Sequence, residues 1–122
     1  MSTVTNPSED WVGSTRASLL AWGLPHVAIV AGLFAAAPVR AAIWTIALAW
    51  MGSACILNAR RCGRTHCHFT GPYYLATIIP VIGFGSGAVS VSFYGWVLLG
   101  AVIVGGGGLI WWLTERVWGR FS

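Results

Sequence analysis

Trp96-Val-Leu-Leu-Gly-Ala-Val-Ile-Val-Gly-Gly-Gly-Gly-Leu-Ile-Trp-Trp-Leu-Thr114 contains no charged residue and ends among the tryptophans Trp111, Trp112 and Trp118. Crossing a bilayer core of ~30 Å takes roughly 20 apolar residues, and tryptophans gather where such a segment meets the headgroups. The stretch reads as a transmembrane helix over about Trp96–Thr114. Working outward, no charge lies between Arg64 and Glu115, between Arg40 and Arg60, or between Arg16 and Arg40. These gaps have room for two, one and one spans, expected over Tyr73–Val89 and Trp96–Thr114, Ala41–Leu57, and Ala17–Ala37.

The composition agrees. Of 122 residues, 57% are hydrophobic and 8% charged, where a soluble domain carries about a quarter charged. So few charges could not cover a soluble fold. A soluble enzyme, a nucleic-acid-binding domain and a disordered tail are excluded, and no nucleic-acid partner is expected. The expected fold is all-α: a polar tail over 1–16, then an integral membrane bundle of four transmembrane helices over 17–122. Ala35-Ala36-Ala37 resembles a signal-peptide cleavage site, but the leading segment is long and acidic and Pro38 would follow the cut. We read the segment as retained.

With four spans, both termini and the central loop share one side. That side holds Arg16, Arg60, Arg61, Arg64, Arg116 and Arg120, and the other only Arg40. Positive loops stay in the cytoplasm, so the topology is N-in/C-in and multi-pass, with membrane lipid as the surrounding partner. Carboxylates are scarce: Glu9, Asp10 and Glu115. Paired-carboxylate catalysis and an intramembrane Asp/Glu proton relay are therefore excluded, and no enzyme activity or bound cofactor is expected.

The chemistry gathers in a polar stretch at 58–72, expected as a cytoplasmic loop, with Thr70 and Pro72 opening the third helix as cap and first-turn proline. Cys55, Cys62, His66, Cys67 and His68 include every cysteine and two of the three histidines. Thiolates prefer soft or borderline ions, and imidazole suits several of them. Neighbouring arginines would lower the thiol pKa values. Candidate metal ligands are therefore Cys55, Cys62, Cys67, His66 and His68. The contrasting reading makes the cysteines helix packing and the histidines interfacial. Spacing departs from Cys-x2-Cys zinc patterns, but zinc or copper stays open beside softer ions. His26, inside the first span behind Pro25, either lines a pathway or bonds a backbone carbonyl at a proline kink. Gly83 and Gly87, with Gly100 and Gly105–Gly108, read as helix-packing positions.

The segment Cys55-Ile-Leu-Asn58-Ala-Arg-Arg-Cys62-Gly-Arg-Thr-His-Cys67-His-Phe-Thr-Gly-Pro72 resembles a signature of the small inner-membrane mercuric-ion transporters of bacterial mercury-resistance operons. It covers about a seventh of the chain; the rest matches in size and hydropathy. The resemblance implies movement of mercuric ion to cytoplasmic thiols, with a cytoplasmic mercuric reductase as partner. Cys62 and Cys67 would receive the ion and Cys55 would be the membrane-embedded donor. Many members carry an adjacent cysteine pair in the first span; this chain has none there. The alternative is a non-catalytic small subunit of a larger membrane complex, for which eight tryptophans and many glycines suit lateral packing. A homo-oligomer is compatible with either.

Overall fold

The computed structural model describes residues 10–12 and 14–119. Most of the polar tail expected over 1–16, and Arg120 of the arginine count, lie outside the described residues. Those described are helical, with no strand among them. The elements are α1 (Thr15–Ser18), a π-helical turn (Leu19–Gly23), α2 (Leu24–Gly32), α3 (Ala37–Cys62), α4 (Thr65–Gly85) and α5 (Phe93–Trp118). Two helices, α3 and α5, are each long and apolar enough to cross a membrane.

Local chemistry sets the ends and the irregular turn. Ser14 caps α1, its hydroxyl accepting from the Ala17 N–H. Pro25 cannot donate to the carbonyl four residues back, and its ring crowds that carbonyl. The chain widens there: the Leu24 N–H reaches the Leu19 carbonyl, a π-type bond. Gly63 ends α3 at φ 75°, a left-handed value that glycine adopts without penalty, and its N–H bonds the Ala59 carbonyl.

The helices pack in sequence order, α2 on α3, α3 on α4 and α4 on α5, with α3–α4 the most extensive pair. That pair is close because glycines face each other's helix. A Cβ at Gly52 would lie 3.1 Å from the Gly71 carbonyl oxygen and 2.7 Å from Leu75. The core centres on Trp44, Leu48, Met51, Val81 and Ile103, all fully buried. The Trp44 indole donates to the Ile29 carbonyl at 2.9 Å and meets Trp96 edge-on at 5.3 Å.

Three expectations are corrected. The loop expected over 58–72 is helical except for Gly63 and Arg64. Asn58, Arg64, His66 and Thr70 find side-chain partners on other elements, so this polar stretch is held within the bundle. Thr70 and Pro72 consequently lie inside α4 rather than at its start. The packing role read for Gly83 and Gly87 is also not seen: a Cβ at either would meet nothing within 4 Å, and Gly87 sits at φ 81° beyond α4. Gly106 and Gly107 do pack, making room for the hydroxyls of Tyr73 and Tyr74.

Candidate thiol and charge cluster

Cys55, Asn58 and Cys62 are spaced three and four residues apart on α3, which puts them on one face. On α4, Thr70 lies four residues from His66 and three from Cys67, which brings it alongside both. Where the two helices meet, all three cysteines are fully buried, and all are free thiols. Trp22 of the π turn donates its indole N–H to Cys55 Sγ at 3.2 Å, and the Thr70 hydroxyl donates to the same sulfur at 3.3 Å. Thr70 lies three residues from Cys67 on α4, so this bond ties Cys55 to the part of α4 that carries Cys67.

Asn58 is the hub. Its Nδ2 donates to Cys67 Sγ at 3.4 Å and to Asp10 Oδ1 at 3.0 Å. Its Oδ1 accepts from the Trp11 N–H at 2.9 Å and faces the Cys62 thiol at 3.5 Å. Cys62 also donates to the Asn58 carbonyl at 3.1 Å. The amide orientation follows from these partners, since only one assignment pairs Trp11 N–H with an oxygen and Asp10 with a donor.

A charged layer closes the cluster. Arg64 pairs with Asp10 at 2.5 Å and with Glu115 at 2.7 Å. His66 Nδ1 lies 2.6 Å from Glu115 Oε2, and its Nε2 faces Cys67 Sγ at 3.5 Å. The His66 ring stacks on Trp111 at 4.3 Å. Burial penalises the Asp10 carboxylate, but hydrogen bonds from Asn58 and Arg64 outweigh it and hold its pKa below the ordinary value of 3.8. Burial likewise works against the Arg64 charge, and the bonds to Glu115 and Asp10 outweigh it, raising its pKa. The segment before α1, the α3–α4 turn and the end of α5 therefore lie together.

The expected ligands fare differently. Cys55, Cys62, His66 and Cys67 come together. His68, one residue past Cys67, is half-buried and about 100° round the helix from it. Among the described residues, no group of three or more His, Cys, Asp or Glu is arranged to hold a metal ion. The arginines expected to activate the thiols do not face them: Arg60 and Arg61 are exposed, Arg61 lying over the Trp11 ring at 4.9 Å, and Arg64 is turned to carboxylates. His26 Nδ1 donates to the Trp22 carbonyl at 2.6 Å, and His26 also lines a cavity of ≈ 230 Å³ shared with His66 and Thr70.

Sequence reasoning passed over Asn58, Trp22, Asp10, Arg64 and Glu115. Asn58 was findable, being three residues from Cys55 and four from Cys62 in a helical frame. The carboxylates were not, because Asp10 and Glu115 lie 54 and 51 residues from Arg64. Comparison of the chain with family models, curated proteins and solved structures finds no match.

Proposed function

We propose that this chain is a four-span protein of the bacterial cytoplasmic membrane that binds a soft metal ion, mercuric ion foremost, and passes it to cytoplasmic thiols. The observation carrying this reading is the meeting of two buried thiols from separate helices at one junction, Cys55 of α3 bonded to Thr70 of α4 and Cys67 of α4 bonded to Asn58 of α3. Mercuric ion accepts two thiolates in near-linear geometry, so one pair suffices where tetrahedral zinc would need four ligands. The pair is Cys55 and Cys67 rather than Cys62 and Cys67, since the Cys62 thiol donates to the Asn58 carbonyl one turn back on its own helix. Cys62, next to the α3–α4 turn, would take the ion onward by ligand exchange. His26 would stand on the approach, and a cytoplasmic mercuric reductase fits as recipient. Both termini and the turn on the cytoplasmic side suit the meeting of Asp10, Arg64 and Glu115 at one end. Metal uptake into vesicles tests it: Cys55→Ser/Cys67→Ser should abolish uptake while the protein still inserts.

A second reading, the small structural subunit, is favoured by the thiols already having hydrogen-bond partners without any ion. Under it, the same double variant would lose stability or assembly and leave metal handling unchanged.

A further inference from the structure

α2 and the π-helical turn lean on α3 while α5 leans on α4, and neither of the first two makes an extensive contact with α5. The groove between them, floored by α4, holds the cavity of ≈ 230 Å³. Its walls include Trp22 and His26 on one side, Trp111 on the other, and His66, Thr70 and Tyr74 on the floor. Sites for drug-sized ligands run to ~300–1,000 Å³. This one therefore takes a single ring, not a nucleotide or a macrocycle.

The polar groups define what that ring carries. The Thr70 hydroxyl is spent on the His66 carbonyl and Cys55 Sγ. His66 is held between Glu115 and Cys67. His26 is different. Its Nδ1 faces a carbonyl, so it must carry the proton, and the neutral ring then presents Nε2 as an acceptor. Arg64, the nearest cation on α4's end, is taken by two carboxylates, so an anion finds no counter-charge here. The Trp22 and Trp111 indoles line the cavity, with the His66 ring already stacked on Trp111, an aromatic lining that favours an aromatic guest. The open flank of the groove lets an alkyl substituent leave sideways.

We propose that this cavity binds the ring of a neutral phenol or hydroquinone carrying an apolar tail, its hydroxyl donating to His26 Nε2. The site shares His26 with the proposed metal route but includes none of the thiols. The test titrates the full-length chain in micelles, labelled with ¹⁵N-histidine, with 4-butylphenol and, separately, with butylbenzene. A saturable shift of the His26 ring nitrogens with the phenol alone is expected. His26→Phe should weaken binding at least 10-fold by its effect on the protein's other signals. Gly108→Leu should do the same by filling the cavity wall; a Cβ there meets nothing within 4 Å, so the variant should fold. Cys55→Ser/Cys67→Ser should keep the phenol, which separates failure here from failure of the metal site. No saturable shift, an equal shift with butylbenzene, or unchanged binding in Gly108→Leu and His26→Phe would overturn the proposal.

Discussion

Arg40 and Arg64 stand near opposite ends of α3, both buried, and they are held in contrasting ways. Arg40 has no carboxylate among its hydrogen-bond partners. Its guanidinium donates to the carbonyls of Gly32, Leu33 and Ala35 at 3.2, 3.0 and 2.8 Å, the free carbonyls where α2 ends. The rings of Phe93 and Trp96 lie 5.5 and 5.1 Å away. Arg64 instead sits between two carboxylates, beside an imidazole. One end holds its cation with backbone dipoles from near in sequence and with π-faces from the first turn of α5. The other holds it with full charges from the two ends of the chain, and that arrangement encloses the thiols.

The comparison can be broken most forcefully at Arg64. Arg64→Leu leaves Asp10 and Glu115 buried without their cation, and removing one partner of a buried pair costs about 3–5 kcal/mol. Thermal unfolding in detergent should show it, and Arg64→Leu/Asp10→Asn/Glu115→Gln should recover much of the loss. An Arg64→Leu protein as stable as the parent would mean the charges are not confined as described.

Arg40→Leu should cost less, about 1–3 kcal/mol, because it strands neutral carbonyls rather than charges. The loss should concentrate at the α2–α3 connection, seen as faster amide exchange there. If Arg40→Leu proves the worse variant, the contrast between the two ends is inverted.

Acid separates the ends more gently. A carboxyl with a depressed folded pKa contributes stability above its unfolded value and loses it as pH falls through the folded one. For Asp10 the loss begins as pH drops below 3.8 and continues down through its lower folded value. Amides near the α3–α4 turn should lose protection in that window before those at the Arg40 end, and Asp10→Asn should remove the Asp10 part of the difference.

Gly83→Ala sets the baseline for both ends. With nothing within 4 Å of the new methyl, it should be neutral or add about 0.5–1 kcal/mol through helix propensity. Clear destabilisation there would show a contact at Gly83 that the described packing lacks.

These contrasts also explain what could be read from the sequence. Hydropathy and the charge gaps carry the helices, because apolar runs of that length have few alternatives; α3 and α5 lie where the second and fourth spans were expected, extended at both ends. The polar stretch from Asn58 to Pro72 misled, because polarity was taken to mean solvent. Asn58, His66 and Thr70 are instead buried, with partners supplied by tertiary structure. The cysteine cluster was legible as a cluster, since all three thiols fall within a few helical turns. Which two thiols face each other depends on the α3–α4 register set at Gly52 and Gly71, and no local spacing encodes that. Asp10 and Glu115 looked isolated because the residue joining them lies halfway along the chain.

The central claim is that Cys55 and Cys67 form the soft-ion pair. X-ray absorption at the mercury edge, on the purified chain loaded with one equivalent of mercuric ion, tests it most directly. The account predicts two sulfur ligands in near-linear geometry, retained in Cys62→Ser and lost in both Cys55→Ser and Cys67→Ser. Two-sulfur coordination that survives Cys55→Ser but disappears in Cys62→Ser would contradict it.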